Sequence, residues 1–187
     1  MRLTVRCLLL VVLCASVTLA QPLFDYVAAP DAAYKWEKVS EAEGAMGCKI
    51  ITLNLTSQVW QGITWTHQLV IVQPPKLDNC QTAVMLINGG KMGDKELATL
   101  AMLAATVSGP IVYLGDIPNQ PLFNNLREDA LIAYTFTRYL ATHDATWPLL
   151  YPMVKSAIRA MDAVQEYTQR NWPQRVEKFV TTGASKR

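Results

Sequence analysis

Histidine is scarce in this sequence, and a net charge is almost absent. The 187 residues include two histidines, and 17 lysine and arginine residues against 15 aspartate and glutamate residues leave a formal charge of +2. A nearly neutral chain has no electrostatic basis for binding nucleic acid or an anionic membrane surface, so we expect neither as a partner. A small-molecule or extracellular partner is the remaining expectation.

The sequence also lacks the motifs that bind common metals and cofactors. It has no CxxC and no cluster of cysteine and histidine, which argues against a structural zinc site. The glycine-containing stretch 89–93 does not supply the GxxxxGK[ST] pattern of a phosphate-binding loop. We therefore predict no metal and no cofactor.

After the first twenty residues, no apolar run reaches the ~18 residues of a membrane-spanning helix. Those twenty residues have the layout of a signal peptide instead. Arg2 and Arg6 form a basic start, a short apolar run follows, and the small residues Thr18 and Ala20 occupy the −3 and −1 positions of a cleavage site. We predict a signal peptide over residues 1–20 and a mature chain that is secreted, or periplasmic in a bacterium.

Export changes the meaning of the four cysteines. Cys7 and Cys14 lie in the predicted signal peptide, which leaves Cys48 and Cys80 in the mature chain. In an oxidising compartment these two could form a disulfide, and the alternative is two separate buried thiols. Export from a eukaryotic cell would also make Asn54, in an Asn-Leu-Thr sequon, a candidate for N-glycosylation.

The first part of the mature chain predicts an irregular segment followed by a hairpin. Residues 22–47 contain two prolines and two glycines and indicate a loop-rich entry. Segments 50–60 and 63–72 alternate in part between apolar and polar residues, as half-buried strands do, and Gln61-Gly62 lies between them. We predict an antiparallel hairpin.

The rest of the chain alternates between short apolar runs and amphipathic segments. The apolar runs at 83–87 and 111–114 predict strands buried on both faces, and 178–182 is predicted to be a third buried strand. The amphipathic segments predict helices at 94–106, capped by Asp94, at 127–140, and from Pro152 to Trp172-Pro173. The last helix would face the core with Val154, Ala157, Ile158, Met161 and Val164. This order predicts an α/β fold with a mainly parallel sheet, helices on both faces and an N-terminal antiparallel hairpin.

The last predicted strand runs into Gly183-Ala184-Ser185, which is half of a nucleophile-elbow motif. In GxSxG, a strained strand-to-helix turn raises the serine hydroxyl above the sheet. Arg187 stands where the second glycine belongs, so the pattern alone favours an ordinary loop, and the strand before it makes the elbow an equally good interpretation. If the elbow interpretation is right, Ser185 is a catalytic nucleophile.

Asn88-Gly89-Gly90 follows an earlier strand, at the position of an oxyanion loop. Such a loop supplies one backbone N–H, here that of Gly90, and the residue after the nucleophile, Lys186, supplies another. An ordinary glycine-rich turn is the alternative.

The acid and histidine of a serine hydrolase follow the serine in this fold. His67 and His143 both precede it, and we expect both to be structural or exposed to solvent.

Two further segments are compatible with a site or with structural roles. Pro118-Asn119-Gln120-Pro121 follows the end of a predicted strand, where α/β sheets bind ligands, so it could be a site rim or a rigid turn. Arg127, Glu128 and Asp129 could line a site, although acids at a helix start also stabilise the helix through its macrodipole. We favour this capping role.

Several blocks together resemble the PhoPQ-activated pathogenicity-related protein family. In chain order they are NGG at 88–90, PNQPL at 118–122, REDALIAY at 127–134, WP at 147–148, PMVKS at 152–156, RAMD at 159–162 and GASKR at 183–187. Each block is unspecific alone, but the ordered set is specific. The resemblance covers most of the chain from about Phe24 onward.

The resemblance implies an α/β-hydrolase-like fold in exported proteins, with Ser185 as the nucleophile. It also implies that residues 21–187 are the N-terminal part of such a domain, because members continue past the GASKR block. The family's acid and histidine have no counterpart here, so this part alone would be inactive. We predict a secreted serine hydrolase or esterase when full length. A secreted signalling or binding protein without turnover stays open, because a eukaryotic relative represses cell proliferation.

Overall fold

The computed structural model describes residues 22–78 and 80–187, and the predicted signal peptide, with Cys7 and Cys14, lies outside the described residues. The first part of the described chain forms one helix, one outer strand, a short 3-10 turn and a hairpin. These elements are α1 (Pro22–Ala28), β1 (Lys35–Glu43), the 3-10 turn (Ala45–Gly47), β2 (Lys49–Trp60) and β3 (Ile63–Gln73). The predicted hairpin is confirmed.

The second part alternates strands and helices, as predicted. Its elements are β4 (Thr82–Ile87), α2 (Asp94–Val107), β5 (Ile111–Leu114), α3 (Glu128–Thr142), α4 (Leu150–Asn171) and β6 (Lys178–Gly183). The six strands form one open sheet in the order β1-β2-β3-β5-β4-β6. β4 pairs in parallel with β5 and β6, whereas the three pairings of β1, β2, β3 and β5 are antiparallel. The sheet is therefore mixed rather than mainly parallel.

The two faces of the sheet carry separate hydrophobic cores, and helices cover both faces as predicted. Alternation along β3 directs Leu69 and Ile71 to one face and Val70 and Val72 to the other. The first face packs against α3 and α4 and forms the larger core. The second face packs against α2. This layered arrangement leaves the loops at the strand ends free to form a site.

The expectation of a loop-rich segment over 22–47 is wrong, because this stretch contains α1, β1 and the 3-10 turn. β1 is the outer strand of the sheet and is exposed at all but one of its positions. A strand with a single half-buried residue, here Trp36, has no alternation of apolar and polar residues to indicate it. Its pairing with β2 is what defines it.

Strand β6 is present as predicted, but it is not buried. Phe179 is half-buried, and every other residue of the strand is exposed. β6 pairs with β4 on one side only within the described residues. The prediction of a strand here is therefore confirmed, and the prediction of its burial is wrong for the described residues.

The predicted helices form, with small shifts at their ends and one difference in orientation. Gly93 rather than Asp94 is the N-cap residue of α2, and α4 begins at Leu150, two residues before Pro152. Of the predicted core stripe of α4, only Val164 is buried, and Val154 is exposed. The buried face of α4 is turned toward neighbouring positions that include Met153, Ala160, Ala163 and Tyr167.

Candidate active site

Strands β4 and β6 lie side by side and end at the same level of the sheet. They pair in parallel, and Ile87 and Gly183 are the last residues of the pairing. The segments that follow, 88–90 and 184–186, therefore leave the sheet edge next to each other. The two segments predicted to supply the oxyanion loop and the serine are thus neighbours in the structure.

Ser185 lies in the turn directly after β6. Its backbone is left-handed, with a φ of 63°, and the residue is exposed. Non-glycine residues rarely adopt this φ, and such strain is common at functional sites. The turn reverses tightly, because the N–H of Arg187 donates to the carbonyl of Ala184 over 3.3 Å. A Cβ at Gly183 would lie 2.5 Å from the Arg187 carbonyl oxygen, so the reversal needs glycine there.

Backbone and tyrosine hydrogen bonds hold the loop 88–90 against the end of β5. The N–H of Asn88 donates to the carbonyl of Leu114 over 2.8 Å, and the Asn88 carbonyl accepts from the N–H of Ile117 over 3.0 Å. The Tyr113 hydroxyl donates to the carbonyl of Gly90 over 2.8 Å. A Cβ at Gly90 would meet no atom within 4 Å. The loop is therefore anchored at both ends and open above Gly90.

The Arg187 side chain connects the serine turn to the neighbouring loops. Its Nε donates to the carbonyl of Ile117 over 2.6 Å, and its Nη2 forms an ion pair with Glu128 at 2.5 Å. The guanidinium lies so close to Gly89 that a Cβ there would overlap it. In the sequence, Arg187 stands out only as a departure from GxSxG. That departure is the one signal in the sequence for the contacts of the Arg187 side chain, and these contacts were not predicted.

The acidic start of α3 pairs with both cations of the serine turn. The Nζ of Lys186 donates to Asp129 over 2.9 Å, beside the pair formed by Arg187 and Glu128. Gln120 contacts Glu128 twice: its amide donates to the carboxylate over 2.6 Å and accepts from the backbone N–H over 2.8 Å. The Gln120 amide, and then the Arg187 guanidinium, lower the pKa of the Glu128 carboxyl. Its negative charge is thereby stabilised.

These contacts change the interpretation of two segments. Arg127 is the N-cap residue of α3 without a side-chain capping bond, and Glu128 and Asp129 bond to the serine turn. Both acids lie in the first turn of α3, as the favoured role at the helix start requires, and their ion pairs add a second role beside the candidate site. Gln120 brings the 118–121 segment into the same polar cluster, and Asn119 fastens that segment to the carbonyl of Thr66 over 2.9 Å.

Neither histidine is bonded to Ser185 by any hydrogen bond recorded for the described chain. His67 is 1% exposed, with its Nε2 2.9 Å from the Ser57 hydroxyl and its Nδ1 3.2 Å from the Asp116 carbonyl oxygen. Burial lowers the pKa of His67 to about 4. His143 is exposed at the C-terminal end of α3. The structural role of one histidine and the solvent exposure of the other agree with the sequence analysis.

The disulfide between Cys48 and Cys80 does not form in this structure. Both residues are buried and are not bonded to each other. The Cys48 thiol donates to the carbonyl of Ala101 over 3.3 Å in the core under α2, whereas Cys80 belongs to the core on the opposite face. The sheet therefore separates the two thiols. Asn54 is exposed on β2, and its glycosylation stays a prediction.

An apolar cavity of about 360 Å³ lies between α4 and the serine turn. Its walls include Ile87, Ile117, Met153, Ala157, Met161 and the side chain of Arg187. Ala157 and Met161 of the predicted core stripe of α4 are half-buried: they pack against the larger core and also line this cavity. Apolar surface is thus available directly beside the candidate nucleophile.

Residues 22–78 and 80–187 contain neither a metal-binding cluster nor a membrane-spanning helix. No group of three or more His, Cys, Asp or Glu side chains in these residues is arranged to hold a metal ion. Among the same residues, no helix combines the length and the apolar content needed to cross a membrane.

The mixed sheet, its layers of helices and the serine turn at its edge define an α/β-hydrolase-like fold. A glucuronoyl esterase from Solibacter usitatus matches with a TM-score of 0.53 at 11% identity, over 88% of this chain and 51% of the esterase. Acetyl xylan esterase 1 from Thermoanaerobacterium sp. matches with a TM-score of 0.52 at 14% identity, over 88% and 48%. At such identities the likeness shows the fold alone.

The chain belongs to the PhoPQ-activated pathogenicity-related protein family, whose model matches residues 23–187. Autocrine proliferation repressor protein A of Dictyostelium discoideum is 36% identical to it over 199 residues, covering 96% of this chain and 39% of the relative. The family and the α/β-hydrolase-like fold predicted from the sequence are confirmed. The chain spans less than half the length of this relative.

Proposed function

We propose that this chain carries the nucleophile and the oxyanion donors of a secreted serine hydrolase that cleaves esters. The observation that carries the proposal is the placement of Ser185: it is exposed, its φ is 63°, and its turn adjoins the loop 88–90. This is the geometry expected of a nucleophile elbow beside an oxyanion loop. The esterase-like fold of the structural neighbours supports the same class of reaction.

In this proposal the Ser185 Oγ attacks the carbonyl carbon of an ester. The backbone N–H groups of Gly90 and Lys186 stabilise the negative charge that develops on the carbonyl oxygen. The serine needs a base to take its proton, and the buried His67 is already engaged with Ser57 and Asp116. The base and its acid partner would follow Ser185 in longer members of the family, as the chain order of this fold requires.

The test supplies the missing base from outside. The chain is incubated with a fluorophosphonate, which reacts with activated serines, in buffer containing imidazole, and the labelled peptides are mapped by mass spectrometry. We expect the label on Ser185, and Ser185→Ala removes it completely. Ser57→Ala is the matched control, because Ser57 is bonded to a histidine but buried, and this variant keeps the label. A label distributed over other serines, or none at all, contradicts the hydrolase proposal.

A second candidate function is a secreted signalling protein that keeps the fold without turnover. The observation that favours it is the 36% identity to a Dictyostelium protein named for repressing proliferation. The two functions separate in a proliferation assay with exported protein. Full repression by Ser185→Ala, together with an unlabelled wild-type chain, supports signalling alone.

Both functions include export, which N-terminal sequencing of the exported chain tests. If the signal peptide is removed as predicted, the first residue is Gln21.

A further inference from the structure

Arg187 occupies the position of the second glycine in GxSxG, where the motif has no side chain. In this chain the Arg187 side chain is largely buried, with 11% of it exposed. It does not extend into solvent, because its guanidinium lies against Gly89 and bonds to Ile117 and Glu128. A substitution that would break the usual motif is thus accommodated by a specific set of contacts.

Two adjacent ion pairs join the serine turn to the start of α3, and they differ in burial. The Arg187–Glu128 pair joins side chains that are 11% and 40% exposed, whereas the Lys186–Asp129 pair joins side chains that are 32% and 81% exposed. Exposed pairs contribute little, but removing the partner of a largely buried charge leaves that charge uncompensated. The Arg187–Glu128 pair is therefore the one able to hold the turn in place.

Arg187 also contacts three segments that follow or begin different elements. Gly89 follows β4, Ile117 follows β5, and Glu128 begins α3. We propose that Arg187 is a positioning residue of the candidate site, which holds the loop 88–90 at a fixed distance from the Ser185 turn. It thereby sets the spacing of the two oxyanion donors. The catalytic meaning of this spacing rests on the proposed function.

The loop needs such support because of its composition. Gly89 and Gly90 have no side chains to pack, and glycine has the largest backbone freedom of any residue. Oxyanion donors act only when they lie about 2.7–3.1 Å from the developing charge. A site is held at that accuracy by neighbouring side chains that are themselves bonded and packed. Arg187 meets this requirement, because it lies against Gly89 and is itself bonded to Ile117 and Glu128.

The chain offers a matched pair of variants for a test. Glu128→Gln removes the charge opposite Arg187, and Asp129→Asn removes the charge opposite Lys186. The readout is amide hydrogen exchange of a peptide that contains residues 88–91. We expect Glu128→Gln to speed this exchange about tenfold or more, the size expected for a lost hydrogen bond to a charged group. Asp129→Asn is expected to keep the wild-type rate.

Arg187→Lys is the conservative variant. Lysine keeps the charge but lacks the planar set of donors that lets arginine bond Ile117 and Glu128 together. We therefore expect the amides of residues 88–91 to exchange as fast in Arg187→Lys as in Glu128→Gln. Exchange in the hairpin of β2 and β3 reports general stability, and it is expected to stay at the wild-type rate in all three variants.

Labelling of Ser185 by the fluorophosphonate, with imidazole present, separates positioning from a structural role. We expect Glu128→Gln to lower the maximal labelling rate and to leave the probe concentration at half-maximal rate unchanged. Equal exchange in Glu128→Gln and Asp129→Asn, or wild-type exchange in Arg187→Lys, overturns the positioning role even if Ser185 is labelled. An unlabelled wild-type chain whose loop still loosens in Glu128→Gln contradicts the proposed function and supports the positioning contact.

Discussion

The β2–β3 hairpin and the end of β6 each present a serine, and the two serines differ in almost every physical respect. Ser57 is fully buried and lies 2.9 Å from His67, the pairing of groups that serine hydrolases use. Ser185 is exposed in a left-handed turn beside a glycine loop. A serine next to a histidine is therefore not sufficient for a site. Access for a substrate and donors for its oxyanion distinguish the two places.

The surroundings of Ser57 explain why that region is structural. Its hydroxyl also lies 2.9 Å from the hydroxyl of Ser156, and the amide of Gln58 donates to Ser156 and to the carbonyl of Pro152 over 3.0 and 2.7 Å. The Tyr26 hydroxyl donates to Gln58 over 2.6 Å, which extends the network to α1. Polar groups in a core must be hydrogen-bonded to avoid a large desolvation cost. This network joins α1, the hairpin and α4.

The largest expected difference between the two regions is in stability. Leu69 is fully buried in the hairpin, whereas Val180 on β6 is 58% exposed. We expect Leu69→Ala to lower the free energy of unfolding by about 2–5 kcal/mol, because it leaves a cavity. Val180→Ala should change it by no more than about 0.5 kcal/mol. Urea titration of the two variants measures both values, and equal losses would mean that β6 is covered as fully as the hairpin.

A second expected difference concerns pH, and the buried His67 of the hairpin is its source. Folded His67 stays neutral down to its lowered pKa of about 4, whereas in the unfolded chain it takes up a proton near the ordinary value of 6.5. The contribution of neutral His67 to the free energy of unfolding is therefore complete above about pH 6.5. As the pH falls toward 4, about 3 kcal/mol of this free energy is lost. We expect His67→Gln to flatten this decline in denaturant midpoints measured across the range.

The exposed His143 provides the control for this experiment. His143→Gln changes the other histidine of the chain, at the end of α3. We expect its denaturant midpoint to fall with pH as that of the wild type does. If the denaturant midpoint of His67→Gln falls with pH as steeply as that of the wild type, the burial of His67 does not cause the loss of stability in acid. The two regions would then not differ in this electrostatic respect.

The sequence predicted the strands and helices of the sheet well, because their buried faces leave a period of two or about 3.6 residues. It failed where that pattern is absent. β1 is exposed at every position except Trp36 and was assigned to a loop, and β6 was predicted to be buried although only Phe179 is half-buried. The stripe of α4 was placed one position away from the buried face, because α4 has apolar residues both toward the sheet and toward the cavity beside the serine turn.

For the candidate site, the amino-acid sequence by itself determined the serine, the two glycines and their positions after strands, because these are local patterns. Only the tertiary structure decided that β4 and β6 are neighbours, that Arg187 lies against Gly89, and that Glu128 pairs with the serine turn. It also placed Cys48 and Cys80 on opposite faces of the sheet. The physical reason is the same in each case. Contacts between residues far apart in the chain depend on strand order and on side-chain direction, and no local pattern encodes either of them.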